Sequence, residues 1–133
     1  MPVLDATFLI DVRARKHGAP AALERMASSP ERILVPAQVA VEYGAGLLDI
    51  AQGFRELAES FEVVPFDEAI AREAARLAQG AIRRGKFPGW GDTQVAATAA
   101  YHGMWIASTN VKHLRDALGA RVWDYRREAD PPA

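Results

Sequence analysis

Cysteine is absent from the 133 residues of this chain, which excludes disulfide bonds and thiolate metal sites. A chain without cysteine is also compatible with a reducing compartment. Long apolar runs are missing too, since none approaches the roughly 18 residues that a membrane-spanning helix requires. The N-terminus lacks the charged region and the long apolar segment of a secretory signal. We therefore expect a cytoplasmic location without a membrane partner.

An excess of positive charge is likewise missing, because 16 Lys and Arg residues face 17 Asp and Glu residues, for a net charge of −1. This balance argues against a general nucleic-acid coat, which usually carries a strongly basic face. It is compatible with a specific nucleic-acid substrate that local basic clusters could hold. The length and the hydrophobic share of 50% are normal for one domain with its own core.

Short apolar runs alternate with longer helical patterns along the chain. The apolar runs predict strands at residues 3–4, 33–35, 61–64, 104–107 and 122–123. Helical patterns occupy residues 7–16, 20–28, 37–51, 68–84, 92–102 and 111–118. This alternation predicts an α/β fold with a central, mostly parallel sheet of about five strands between two layers of helices. We assign residues 1–125 to this domain and predict a flexible C-terminal tail over residues 126–133, RREADPPA.

Three acids occur where the ligands of a parallel sheet are expected, near the carboxyl ends of its strands. Asp5 directly follows the first strand, although by itself it could simply cap the next helix. Glu42 lies at the edge of the apolar face of PAQVAVEYGAGLLDI, where its stem could pack while its carboxylate reaches water. Asp92 begins the helix GDTQVAATAAYHG, where the helix dipole alone would stabilise an anion by about 0.3–1 kcal/mol.

Folding could bring these three carboxylates into one pocket. Two like charges 4 Å apart repel by roughly 4 kcal/mol at an effective dielectric constant of about 20. Either the acids take up protons, or a cation fills the pocket. No histidine-rich or cysteine pattern accompanies the acids, and a set of oxygen ligands suits Mg²⁺ or Mn²⁺. A metal held by few carboxylates keeps several waters, one of which could attack a phosphodiester.

Four segments carry a resemblance to the PIN-domain family, in particular to the VapC-like ribonuclease toxins of toxin–antitoxin pairs. In chain order they are VLDATFLIDV, VPAQVAVEYGAGL, GDTQVAATAAYHG and IASTNVKHL, and together they extend the resemblance over nearly the whole chain. The resemblance implies a PIN-like fold and an acidic catalytic site made of Asp5, Glu42, Asp92 and Asn110. The first three would be the metal ligands, and the hydroxyls of Thr7 and Thr109 would support them.

The same resemblance implies a Mg²⁺-dependent endoribonuclease, with Mn²⁺ as a possible substitute, that cleaves RNA. It also implies a homodimer and a VapB-like antitoxin that fills the active groove. Asn110 occupies a position that is often aspartate in the family. Its carbonyl could reach a metal or an outer water, and its amide could donate to a neighbouring carboxylate. The lower charge favours one tightly held metal, but it leaves open a PIN-fold protein that binds RNA or a partner with weak or no cleavage.

Two basic clusters flank the acids in sequence, and either could hold the RNA backbone. The first consists of Arg13, Arg15 and Lys16, and the second of Arg83, Arg84 and Lys86. The alternative for each residue is an ordinary solvated helix end. Trp90 could stack on a base, although we favour a helix-start contact with Val95 and Gly91 as the N-cap. We expect Asp11 and His113 at the surface, although Asp11 could be an outer-shell acid and His113 an acid or a phosphate ligand.

A receiver-like phospho-switch also combines a parallel sheet with an acidic pocket. It requires paired acids after the first strand and a lysine after a late strand. Asp5 has no acidic neighbour, and no lysine follows the apolar pair Val122–Trp123. The sequence therefore disfavours this function.

Overall fold

A computed structural model describes residues 2–132, so the first residue of the predicted domain and the last of the predicted tail lie outside it. Within that range the strands are β1 Pro2–Leu4, β2 Leu34–Pro36, β3 Glu62–Val64, β4 Trp105–Ala107 and β5 Val122–Trp123. The helices are α1 Ala6–Ala14, α2 Ala19–Ala27, α3 Ala37–Ala45, α4 Ile50–Ser60, α5 Glu68–Arg83 and α6 Trp90–His102. A short π-helical segment, Lys112–Ala117, follows β4.

The five strands form one parallel sheet in the order β3-β2-β1-β4-β5, with helices on both sides. This architecture confirms the predicted α/β fold. The chain first builds outward from β1 to β3 and then returns to add β4 on the other side of β1. In open parallel sheets, ligands bind outside the carboxyl ends of the strands where the order reverses in this way. The ends of β1 and β4 therefore mark the place for a site.

Both faces of this sheet are covered, as a parallel sheet requires. Val3, Leu34 and Ile106 are fully buried in the central strands. Helix α6 lies against β1 and β4, and nearly every side chain of its middle part is small and buried. Small side chains let the helix axis approach the sheet closely. Within residues 2–132 no helix is both long enough and apolar enough to cross a membrane.

The predicted single helix over residues 37–51 is wrong, because α3 ends at Ala45 and a second helix, α4, begins at Ile50. Asp49 starts α4 by accepting a hydrogen bond from the backbone N–H of Gln52 at 3.0 Å. The two helices approach closely at Gly44, where an added Cβ would lie 2.8 Å from the ring of Phe54. The missed helix α4 is amphipathic, so its periodicity was present in the sequence although no helix was predicted over residues 52–60.

Asp11 is buried, which corrects the expectation that it lies at the surface. Its side chain accepts hydrogen bonds from the hydroxyl of Tyr125 at 2.5 Å and from Nε and Nη2 of Arg126 at 2.9 and 2.7 Å. These partners lie 114 and 115 residues away, so no local pattern could reveal them. Further along the segment for which we predicted a flexible tail, Arg25 donates to the backbone carbonyl of Ala129 at 2.9 Å and to Asp130 at 2.8 Å.

The hydrogen bonds of Asp11 allow us to predict how the stability of the fold changes in acid. Burial raises the pKa of Asp11, but the hydrogen bonds from Tyr125 and Arg126 outweigh it and hold that pKa below its ordinary value of 3.8. A carboxyl group with a lowered pKa stabilises the fold above its ordinary pKa, and this stabilisation is lost as the pH falls through the folded value.

Substituting Tyr125→Phe should lower the free energy of unfolding by about 1–3 kcal/mol, because Asp11 loses one donor. The substitution keeps the ring that packs edge-on against Phe8 at 4.8 Å. The acid transition should also move to higher pH, since the pKa of Asp11 rises. Urea unfolding and an acid titration followed by circular dichroism measure both effects, with the exposed Tyr101→Phe as control. Equal curves for the two variants would contradict this role of Tyr125.

Candidate active site

Asp5 and Ser108 face each other at the carboxyl ends of β1 and β4. The register pairs Leu4 with Ala107, and the backbone N–H of Asp5 donates to the carbonyl of Ala107 at 3.2 Å. The next side chains then meet, because Ser108 Oγ donates to Asp5 Oδ2 at 2.6 Å. The other oxygen, Oδ1, caps α1 by accepting from the backbone N–H of Ala6 at 2.8 Å. Asp5 is therefore both a helix cap and a residue of the sheet edge, with 7% of its surface exposed.

Asp92 lies in the first turn of α6, and two side chains from the region after β4 contact it. Asn110 Nδ2 donates to Oδ1 at 3.2 Å, and His113 Nδ1 lies 3.0 Å from Oδ2. The backbone N–H of Asn110 also donates to Ser108 Oγ at 3.0 Å. A continuous chain of hydrogen bonds thus links Asp5 to Asp92 through Ser108 and Asn110. An amide can supply the donor that this chain needs, whereas an ionised aspartate could not.

Glu42 approaches these residues from α3 and is exposed. Its Oε1 accepts a hydrogen bond from Gln38 Nε2 at 3.3 Å. A Cβ added to Gly91 would lie 3.5 Å from the same oxygen, so the carboxylate of Glu42 lies over the first turn of α6. The glycine leaves space for this approach.

The three acids interact electrostatically, which is visible in the titration of Asp5. Burial raises the pKa of Asp5 above its ordinary value, and the hydrogen bonds from Ser108 and Ala6 lower it in part. The charges of Asp92 and Glu42 raise it further. Ionising Asp5 therefore costs more free energy in the folded protein than in water, and a nearby positive charge would offset this cost.

The three acids at this edge offer carboxylate oxygens, the ligand type that Mg²⁺ prefers. Within residues 2–132 no three Asp, Glu, His or Cys side chains converge closely enough to hold a metal ion. Mg²⁺ is commonly bound through one or two carboxylates and several waters, with a substrate phosphate in its shell. The pair formed by Asp5 and Asp92 fits that mode of binding. Thr7 Oγ1 is buried and lacks a hydrogen-bond partner among the described residues, and Thr109 is half-buried.

Three residues of the site were not among those that the sequence favoured. Ser108 is fully buried, and its signal was its place as the first polar residue after an apolar strand. His113 was expected at the surface, but it contacts Asp92 because the π-helical segment returns toward α6. Gln38 precedes Glu42 by one helical turn, which is the spacing at which side chains on a helix meet.

The first basic cluster lies at the end of α1. Arg13 lines a cavity of about 450 Å³ beside Glu42, and its Nη1 donates to the hydroxyl of Tyr43 at 3.4 Å. Arg15 and Lys16 are exposed where the helix ends, and Arg15 has a positive φ of 54°. Arg13 is the member of this cluster that the structure places next to an acid of the site.

The second basic cluster is divided among three surroundings. Arg84 Nη2 donates to the backbone carbonyl of Ala117 at 2.6 Å and so fastens the π-helical segment. Arg83 lines an apolar groove of about 600 Å³ together with Trp90. Lys86 lines a separate polar cavity.

The helix-start contact predicted for Trp90 is wrong. Gly89, with a φ of 107°, is the N-cap of α6, and the helix begins at Trp90 rather than after Gly91. The indole is 60% exposed and packs against the ring of Phe87 at 4.8 Å.

Removing the charge of Asp5 should stabilise the metal-free protein. A carboxyl group with a raised pKa stabilises the fold fully below its ordinary value of 3.8, and this contribution is lost as the pH rises through the folded pKa. In EDTA, Asp5→Asn should therefore melt a few degrees above the wild type at neutral pH, since about 1 kcal/mol shifts the melting temperature of such a domain by roughly 3–6 °C. The difference should shrink in acid.

Asp67→Asn is a matched control, because Asp67 caps α5 by accepting from the backbone N–H of Ile70 at 3.0 Å. Asparagine caps helices about as well as aspartate, so this variant should melt like the wild type. Calorimetry across the pH range distinguishes the two residues. A lower melting temperature for Asp5→Asn would show that the carboxylate is structural.

A family model described as the PIN domain matches residues 3–117 of this chain. This range includes the positions of Asp5, Glu42, Asp92 and Asn110. No protein with a curated description matches the chain significantly.

Several solved structures share this fold. FitAcB from Neisseria gonorrhoeae superposes with a TM-score of 0.78 at 24% identity, covering 96% of this chain and 100% of that one. VapBC2 from Rickettsia felis, bound to a DNA fragment from the promoter, superposes with a TM-score of 0.76 at 17% identity. The match covers 92% of this chain and 98% of that one. VapBC-1 from nontypeable Haemophilus influenzae superposes with a TM-score of 0.76 at 18% identity. The match covers 95% of this chain and 98% of that one.

The family model covers most of the chain, and the five-stranded parallel sheet agrees with it. This chain belongs to the PIN-domain family.

Proposed function

We propose that this protein is a divalent-metal-dependent endoribonuclease and the toxin of a type II toxin–antitoxin pair. The observation that carries the proposal is the hydrogen-bonded chain from Asp5 through Ser108 and Asn110 to Asp92 at the switch point of the sheet. It links two carboxylates, one after β1 and one in the first turn of α6, through two short side chains, which suits a cation shared between them. Family membership supports the choice of phosphodiester chemistry.

Asp5 and Asp92 would hold Mg²⁺, or Mn²⁺ in its place, with Glu42 adding negative charge from the solvent side. When bound, such an ion activates a water and stabilises the charge that develops on the phosphate. Ser108 holds one oxygen of Asp5, while Asn110 and His113 each hold one oxygen of Asp92. These contacts keep the carboxylates oriented before substrate arrives, which lowers the cost of reaching the reactive geometry.

Thr7 and Thr109 are proposed to support the same site. The hydroxyl of Thr7 is buried two residues after Asp5 without a partner in the described part of the chain, so a bound water could satisfy it. Thr109 is half-buried between Ser108 and Asn110. Neither residue needs to contact the metal directly for this role.

A VapB-like antitoxin, a homodimeric assembly and a cytoplasmic location complete the proposal. The likeness to FitAcB and to the two VapBC structures supports a protein partner. The cavity next to Glu42 supports it further, because Ile10 and Leu47 give it apolar walls at the rim of the site. A partner segment seated there would block the approach of RNA to the carboxylates.

Two observations favour a second function, a PIN-fold protein that binds RNA or a partner with weak or no cleavage. Asn110 replaces a possible acidic ligand, and the described residues contain no group of three metal-ligating side chains. Membership of the PIN family leaves no support for the receiver-like phospho-switch.

The purified protein should cleave RNA in Mg²⁺ or Mn²⁺ and lose this activity in EDTA. Asp5→Asn and Asp92→Asn should each lower kcat/KM by more than about 100-fold, beyond the loss typical of groups that only orient metal ligands. Gel-based cleavage of a labelled RNA, with circular dichroism to verify folding and Asp67→Asn as control, measures this. Full activity without a divalent metal would rule out the mechanism.

Replacing the bridging amide tests the role of Asn110. In Asn110→Asp the donor to Asp92 Oδ1 becomes a second carboxylate, so the two groups repel until a cation separates them. We expect tighter Mn²⁺ binding by calorimetry, or a second bound ion, together with a lower melting temperature in EDTA. Unchanged metal affinity and stoichiometry would place Asn110 outside the site.

A further inference from the structure

The cavity that Lys86 lines adjoins the candidate site on the side of His113. It has a volume of about 390 Å³ and lies between the loop that leads into α6 and the π-helical segment. Lys86 and Phe87 line it from the loop, and Lys112, His113 and Asp116 line it from the π-helical segment. Lys86 belongs to the second basic cluster of the sequence, whereas Lys112 lies outside both clusters.

His113 connects this cavity to the chemistry. Its Nδ1 lies 3.0 Å from Asp92 Oδ2 while the same side chain forms part of the cavity wall. The cavity therefore begins one side chain away from a carboxylate proposed to hold the metal. A ligand in it would lie beside the reacting phosphate rather than on a remote face.

The walls of the cavity are fastened to the rest of the fold. Arg84 Nη2 donates to the carbonyl of Ala117 at 2.6 Å, which ties the π-helical segment to the end of α5. The backbone N–H of Lys86 donates to the carbonyl of Ala81 at 2.9 Å, after a turn in which Gly85 has a φ of 69°. The two walls are thus held at a defined separation.

The distribution of lysine points to an anionic ligand. The chain has three lysines, Lys16, Lys86 and Lys112, and two of the three line this one cavity. Among residues 2–132 neither ammonium group forms an ion pair or a side-chain hydrogen bond. Asp116 is the single acid of the wall, so the positive charges outnumber it. Two unpaired ammonium groups in one concave space attract an anion such as phosphate.

We infer that this cavity binds one nucleotide of the RNA, next to the phosphodiester that is cut. Lys86 and Lys112 hold its phosphate, and the ring of Phe87 offers an apolar surface to its base. The volume lies at the lower end of the roughly 300–1,000 Å³ typical of small-ligand sites, which suits a single nucleotide. The inference rests on the proposed RNA substrate and adds a subsite to it.

The double variant Lys86→Ala/Lys112→Ala tests this subsite through RNA binding. The probe is a fluorescent single-stranded RNA of about twelve nucleotides, a length within the range that such binding sites cover. Anisotropy in EDTA, over a series of salt concentrations, measures Kd without cleavage. We expect Kd to rise about tenfold or more. The slope of log Kd against log salt should fall by about 0.7 for each phosphate that the variant no longer neutralises.

Arg55→Ala/Arg72→Ala is the matched control, because it also removes two positive charges. Arg55 donates to Gln52 on α4, and Arg72 pairs with Glu68 on an exposed face of α5. This control should bind RNA like the wild type. Asp116→Asn should act in the opposite direction and tighten binding, since it removes the negative charge of the cavity wall.

Cleavage kinetics distinguish the two proposals. With Mg²⁺, the lysine variant should show a raised KM and a much smaller change in kcat, because Asp5 and Asp92 are untouched. Equal Kd, salt slope and KM for the lysine and arginine variants would overturn the subsite while the nuclease stands. Lysine-dependent RNA binding without cleavage in Mg²⁺ or Mn²⁺ would overturn the nuclease and keep the subsite. Absence of RNA binding by the wild type would overturn both.

Discussion

The parallel pairing of β1 with β4 places Asp5 beside Ser108, and the other contacts of the candidate site depend on it. Ser108 Oγ donates to Asp5 and accepts from the backbone of Asn110, so one hydroxyl sets the positions of two residues. Asn110 then reaches Asp92 on α6. Helix α6 can approach because its buried side chains are small. A shift of one residue in the strand register would turn Ser108 to the other face and separate the two carboxylates.

Electrostatics underlies the function that we propose for this arrangement. Asp5 is buried, and the charges of Asp92 and Glu42 add to the cost of ionising it. A protein under selection for stability alone would place an uncharged helix cap such as asparagine there, because it caps about as well without the cost of a buried charge. The amide of Asn110 reduces the repulsion by donating a hydrogen bond where a fourth acid would add charge. The same region offers positive charge at a distance, from Arg13 on one side and from Lys86 and Lys112 on the other. The negative charge of the acids suits a bound cation, and the positive charges on either side suit the phosphates of a substrate.

The sequence predicted the sheet and its parallel character. It also placed Asp5, Asp92 and Asn110 near the carboxyl edge of the sheet, because each of these residues follows a strand or begins a helix. Ser108 was harder to recognise, since a serine after a strand is common in turns and its burial depends on contacts from β1. His113 contacts Asp92 only because the segment after β4 forms a π-helix, and periodicity does not predict that geometry. Asp11 shows the same limit, because its partners Tyr125 and Arg126 come from the opposite end of the chain. Local patterns locate residues within elements, whereas contacts between distant elements follow from the whole fold.

The proposed site holds one divalent cation between Asp5 at the end of β1 and Asp92 at the start of α6. Crystals soaked in Mn²⁺ test it most directly, because the ion gives an anomalous signal that protein atoms lack. The account predicts a peak within coordination distance of both carboxylates, at oxygen–metal distances of about 2.0–2.3 Å, and its loss in Asp92→Asn. A wild-type protein that cleaves RNA with Mn²⁺ bound elsewhere, and with no peak between these two residues, would contradict it.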